Sequence, residues 1–381
     1  MKTRKSLKLD LTSCFQNARR PIARTVLCLA VCMFGLPISA NAQKGTIITF
    51  DAPGAGTGAG QGTTAYGINA WGGIIGWYTD ASNVNHGFLR FPNGKITTFD
   101  APKAGTGSGQ GTIAFGMNNE GAIVGAATDS GGVTHGFLRA PDGTMKTFDD
   151  PYAGTAAGQG TWTTNINDQG TISGGSIDGA NVIHAFLLTP DGKFAIFEAP
   201  GAGTGAFQGT DTPTMYGLNP AGKETGWYID AGNTYHGYVR FSNGRITTFD
   251  DPNAATGASQ GTQPFSVNPE GAVVGVYYDA SSISHGFLRS PDGKMTTYDA
   301  PGAVGGTFIA SNNASGAITG FYADASGNVH SFEYTRGGRF IGFDAPGAAY
   351  GTYSEGNNAS GVCMGQYVDA NGVNHGFLLI P

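Results

Sequence analysis

All seven histidines of the chain occupy one place in a repeat, and that regularity constrains the fold more than any other feature. They are His86, His135, His184, His236, His285, His330 and His375, at spacings of 49, 49, 52, 49, 45 and 45 residues. An aspartate stands six positions before each: Asp80, Asp129, Asp178, Asp230, Asp279, Asp324 and Asp369. Seven Gly-Thr pairs recur with them, their threonines being Thr63, Thr112, Thr161, Thr210, Thr262, Thr307 and Thr352. Repetition on this scale marks an array of supersecondary units that bury their faces on one another.

One unit reads as four short strands. Strand a is 86–91, and Pro92-Asn93-Gly94 makes a tight turn into strand b, 96–99, which ends at Asp100. A glycine-rich loop, 101–111, leads to strand c at about 112–117, and Asn118-Asn119-Glu120-Gly121 turns into strand d, 122–128. The Asn-x-x-Gly turn recurs seven times, as expected where one position needs positive φ. The 64 glycines follow no collagen period and disfavour long helices, while 23 phenylalanines argue against disorder.

The sequence ends after a strand a, at Ile380-Pro381, and its first repeat residues, from Gln43, supply a strand b. Aligned by repeat, Pro381 and Gln43 both fall on the position of Pro92. The predicted fold is therefore all-β, a seven-bladed β-propeller of four-stranded antiparallel blades spanning residues 43–381, its ring closed by pairing of the N- and C-terminal strands. One blade is expected to join strand a from the C-terminus to strands b, c and d from the N-terminus, with strand d outermost. An open solenoid would call for atypical capping repeats. None is visible.

His184-Ala185-Phe186-Leu187, with its Pro-Asp-Gly turn and the Ile-Asn…Gly segment upstream, resembles the HAF family of bacterial extracellular repeats. Other units vary it as His-Gly-Phe-Leu, His-Gly-Tyr-Val at 236–239 and His-Ser-Phe-Glu at 330–333. The resemblance covers 43–381 and implies an exported repeat protein. It carries no biochemical activity to transfer.

Residues 1–42 have the form of a removable signal peptide: a basic leader, an apolar run at 26–37 too short to span a bilayer, and Ala40-Asn41-Ala42 as a cleavage site. Export to the periplasm or beyond is expected, with no transmembrane segment. Three cysteines, Cys14, Cys28 and Cys32, would leave with the leader, so Cys363 has no disulfide partner in the mature chain. The remainder keeps 14 Lys/Arg against 26 Asp/Glu. A chain that acidic is not built to neutralise phosphates, and no nucleic acid is expected as partner.

The Asp-x5-His pairs tempt a reading as general acid–base couples or metal ligands. A catalytic group is needed once, however, and these recur in every unit, so a hydrogen bond fixing the blade-to-blade connection is expected. A sevenfold ring of imidazoles does not converge on tetrahedral geometry, and no metal or other cofactor is expected. The loops such as 54–62 pass from strand to strand without lysine, unlike dinucleotide-binding loops, and read as surface lobes.

Departures from the repeat carry more. The b–c loop is four residues shorter from Asp299 to Thr307 and from Asp344 to Thr352, which predicts a notch between low walls on the face that also bears the d–a loops. Phe308, Tyr350 and Tyr353 stand by it, and Glu355 replaces an aromatic found at that position in other units. Three extra residues separate Thr210 from Tyr216, including Asp211. These five, Asp211, Phe308, Tyr350, Tyr353 and Glu355, are the candidate ligand-binding residues, suited to a carbohydrate or another neutral molecule. Glu224 replaces an apolar residue of strand d and is expected to be solvated on the outer rim. Paired aromatics on strand d, such as Trp77-Tyr78, are expected to pack one blade on the next. The function expected is a monomeric, non-catalytic binding or scaffold module; the rival is a hydrolase or lyase acting on a polysaccharide or small ester at the loop face.

Overall fold

The computed structural model describes residues 45–213 and 215–381; the expected leader and its three cysteines lie outside them. The described residues form 28 strands and no helix. In unit 1, Gly62–Ile68, Ile74–Thr79, Asn85–Arg90 and Ile96–Phe99 pair antiparallel in chain order. Units 2 to 6 repeat this over 111–148, 160–197, 209–249, 261–297 and 306–343. Unit 7 combines Gly351–Asn357, Cys363–Val368 and Asn374–Ile380 with Thr46–Phe50, and Ile47 lies opposite Leu379.

The chain ends therefore meet, but the grouping differs from expectation. Each unit runs c, d, a, b, so unit 7 takes three strands from the C-terminal end and only its last from the N-terminal end. Strand d is second, not outermost. The reason lies in connection length. Within unit 1 five residues join each pair of successive strands, enough for a hairpin, whereas eleven separate Phe99 from Gly111 and carry the chain to the next unit.

The Gly-Thr motif is the joint between units. Gly111 holds φ at +110°, and a Cβ there would collide with the Asn85 carbonyl of the preceding unit, with which it forms a single parallel bridge. The threonine beside it accepts a hydrogen bond from the start of the incoming loop, Ala101 N to Thr112 Oγ1 at 2.9 Å, and the same bond recurs in all seven units. The glutamine that ends each full-length loop also straddles two units. The Gln61 carbonyl accepts from Asn374 N of unit 7, while its Nε2 donates to Ala81 O and Asn83 Oδ1 of unit 1. The two short loops lack this glutamine, and unit 6, which they flank, forms a separate four-stranded sheet.

On the opposite face the Asn-x-x-Gly turns are linked in series. Asn69 Nδ2 donates to the Asn118 carbonyl, Asn118 to Asn167, Asn219 to Asn268, Asn268 to Asn313, and Asn313 to Asn358. Asn358 donates back to the Asn69 carbonyl at 3.2 Å. Each asparagine thus shapes its own turn, and six of the seven also hold a neighbouring turn.

The apolar core fills the spaces between units. Ile75 and Leu89 of unit 1 pack with Ala114, Ile123 and Phe137 of unit 2. Full burial of each such side chain contributes about 1.5–3 kcal/mol. Aromatics of strand d pack against the following unit's first strand, as expected: Trp77 on Phe115, Trp227 on Phe265 and Phe321 on Tyr353, with centroids 5.3–6.0 Å apart. Cys363 is free and buried. Among the described residues no helix is long and apolar enough to cross a membrane.

Candidate functional site

Each histidine stands on strand a with both ring nitrogens facing carboxylates. The closer partner is the acid that ends strand b, fourteen residues on. Nδ1 lies 2.6–3.0 Å from Asp100, Asp149, Glu198, Asp250, Asp299, Asp344 or, for His375, Asp51 at the other end of the chain. The aspartate six residues earlier is farther, 3.3–3.7 Å from Nε2. Its main work is local: Asp80 Oδ1 accepts the backbone N–H groups of Ser82 and Val84 and so shapes the d–a turn. Strands d, a and b belong to one unit, so these pairs brace each unit internally rather than the connection between blades, which corrects the expectation. The recurring acid at fourteen residues was the available signal; it goes unnoticed when attention stays on the nearer aspartate.

The five candidate residues do not form one site. Tyr350 is exposed on its short loop, and its carbonyl accepts the Tyr353 hydroxyl at 3.2 Å. Tyr353 itself is buried and packs edge-on against Phe321, on which Phe308 stacks at 4.8 Å. Glu355 is 1 % exposed on the first strand of unit 7, where burial pushes its carboxyl up to about 8, and Oε2 has no hydrogen-bond partner. Asp211 belongs to unit 4. The residue is half-buried, and desolvation raises its carboxyl to about 7, while the Thr212 N–H bonds Oδ1 and pulls the other way. The hollow beside the short 345–351 loop measures about 180 Å³ and is lined by His330, Asp344 and Ala349 among others.

The extra residues of unit 4 have a structural consequence. Its first strand stops at Asp211, and the irregular segment beyond sends Tyr216 to units 1 and 7. The Tyr216 hydroxyl accepts the Ile68 N–H at 2.9 Å and lies so close to Gly356 that a Cβ there would strike it. Glu224 is fully buried, contrary to its expected place on a solvated rim, because strand d is an interior strand. Burial raises its carboxyl to about 8 against the pull of Arg240, which stands opposite it in register.

The open space on the loop face lies elsewhere, beside His184. A cavity of about 660 Å³ is walled by His184, Ile196, Val182, Tyr152 and the 199–204 segment, with Asp178 and Glu198 at its polar edge. A ring that five other units have is missing here. In five units a strand-d tyrosine faces the histidine, with centroids 4.8–5.4 Å apart: Tyr78, Tyr228, Tyr277, Tyr322 and Tyr367. In unit 3 that position, opposite His184, is Ser176, whose hydroxyl turns to Asp150 at 2.7 Å. The hydrogen bond to Glu198 raises His184 to about 8, with burial opposing and Asp178 assisting. Glu198 also accepts the Thr210 hydroxyl at 2.6 Å. Sequence reading misses this site because its signal is an absence, a tyrosine not present in two repeats, where Ala127 and Ser176 stand opposite the histidine.

No protein-family model matches this chain, and no curated protein matches it in sequence. Among solved structures it is similar to virginiamycin B lyase from Staphylococcus aureus, with a TM-score of 0.57 at 14% identity over 89% of this chain and 100% of that one. A streptogramin B lyase gives 0.55 at 15% identity, covering 88% and 97% of the two chains. A lectin from Burkholderia pseudomallei gives 0.54 at 8% identity, covering 82% and 93%. These are β-propellers, and at such identities the likeness carries the fold and not the chemistry.

Proposed function

We propose that the chain is an exported, seven-bladed β-propeller closed through its terminal strands, acting as a binding or scaffold module that takes a carbohydrate or another neutral ligand on its loop face. The pairing of Ile47 with Leu379, the Asn358 to Asn69 bond and the reach of Tyr216 to units 1 and 7 support closure. The basic leader and cleavage-type Ala40-Asn41-Ala42 support export.

One observation carries the functional reading. The polar groups that resemble catalytic machinery are repeated in every unit and engaged with one another, the unrepeated carboxyls Glu224 and Glu355 are shut from water, and the hollow beside His184 is walled mostly by apolar groups. That suits holding a ligand better than transforming one. Lectins and lyases both use this fold, so the likeness alone favours neither. The test is a glycan and small-molecule array read by thermal shift, since a ligand of the folded state raises the melting temperature by mass action. Turnover of a polysaccharide or ester by the purified protein, lost in His184→Ala, would replace binding with catalysis.

A further inference from the structure

We propose that the cavity beside His184 receives a planar aromatic group with an apolar edge, which stacks on the His184 imidazole where other units place a tyrosine of their own. The inference rests on the binding reading above and names the ligand class for its site.

The protein itself supplies the models. In units 1, 4, 5 and 7 the tyrosine ring lies nearly parallel to the histidine, at 18–23°, so this slot is shaped for a ring on an imidazole face. The hydroxyl ends of those tyrosines interact with a threonine on strand b, Thr98, Thr248, Thr297 and Thr49 respectively. Unit 3 departs at three linked positions. Ser176 removes the ring, and Ile196 replaces the threonine that would greet a phenol. Tyr152 replaces a glycine of the incoming loop, Gly54 or Gly201 in units 1 and 4, whose Cβ would press the tyrosine hydroxyl at 3.1–3.2 Å. Unit 5 carries Asn253 at this place beside its tyrosine, so a side chain is tolerated there; in unit 3 it is a ring, 69 % exposed and lining the cavity.

Unit 2 lacks the ring too, with Ala127 opposite His135, but it keeps a threonine, Thr147, at the strand-b position, so loss of the tyrosine alone does not define unit 3. This unit instead has an apolar floor in Ile196 and an exposed ring at the entrance, and its volume lies in the range of small-molecule pockets, about 300–1,000 Å³. An apolar cavity that the chain cannot fill is a receptor for an apolar ring. Ile196 at the far end selects against a hydroxyl there, so indole or phenyl groups are favoured over phenol.

The probes are indole, phenol and a panel of methyl glycosides, titrated into the full chain by calorimetry, with His184 followed in histidine-selective nitrogen–proton spectra. Indole is expected to bind, to shift the His184 ring signals more than those of the other six histidines, and to bind at least tenfold more tightly than phenol. Ser176→Tyr fills the slot and should weaken indole at least tenfold; Ala202→Phe, at another residue lining the cavity, repeats the block if the first variant folds poorly. Undiminished indole binding in either folded variant, or no indole binding at all, overturns the proposal. Glycoside binding that Ser176→Tyr blocks, with indole silent, overturns the aromatic assignment yet leaves the binding function standing. Silence of every probe removes both.

Discussion

Replacing Glu355 by glutamine should tilt the pH dependence of stability in a way that isolates one buried carboxyl. In the folded chain this group titrates at about 8, against 4.5 when solvated, and desolvation is the cause. The folded state therefore keeps its proton between those values while the unfolded state releases it. The unfolded state binds fewer protons across that window, so stability falls as pH rises from 4.5 to about 8, then levels. At about 1.4 kcal/mol per unit the ceiling is about 5 kcal/mol, and structural relaxation brings the expected change to about 2–4 kcal/mol. Glutamine cannot ionise, but its amide brings donors that the site does not pair, costing about 1–3 kcal/mol. The two curves should cross: Glu355→Gln is less stable at pH 5 and more stable at pH 8.5. Urea midpoints of both proteins at several pH values measure this directly. Glu224 and Asp211 add slopes of the same sign, which cancel in the difference between variant and parent. Parallel curves would show that Glu355 meets water or a partner, and the account of the unit 7 interior would fall.

Other outcomes follow from the same geometry. His135→Ala should lower stability by about 1–3 kcal/mol in denaturant unfolding, because it strips Asp149 of a 2.7 Å partner in the most buried of the seven constellations. Gly111→Ala, forced against the Asn85 carbonyl at positive φ, should cost more than about 3 kcal/mol, seen as a collapse of the thermal midpoint. His184 is raised above its ordinary 6.5, so its contribution of about 1 kcal/mol, discounted for exposure, is complete below pH 6.5 and lost as pH passes about 8. Glu198→Gln should return its titration toward 6.5 in an NMR pH series. Asn358→Ala removes the link back to Asn69 and should raise hydrogen exchange at the 69–73 and 358–362 turns together.

How much of this was legible in the sequence depends on what kind of rule wrote each part. Repeated positions obey local chemistry, so the Gly-Thr joint, the Asn-x-x-Gly turns and the four-strand unit were readable from spacing. The meeting of residues 46–50 with 374–380 was readable because the repeat breaks in mid-unit. Strand order within a unit was not, since sequence order alone does not mark which turn crosses between units; the eleven-residue connection held that information. Glu224 was misplaced as a result. The cavity beside His184 was missed because Ser176, Ile196 and Tyr152 are each unremarkable alone. They acquire meaning only once the fold lays them beside the tyrosines of five other units.

The bond from His375 to Asp51 joins positions 324 apart in the chain. A ribosome releases the fiftieth residue long before the three hundred and seventy-fifth, so the earliest strand must wait, unpaired, for the last. Loop closure over that span is slow compared with forming any single hairpin. Damage to this seam, such as Phe50→Ala or clipping before residue 46, should therefore slow the final step of folding and leave six units able to form with the seventh open.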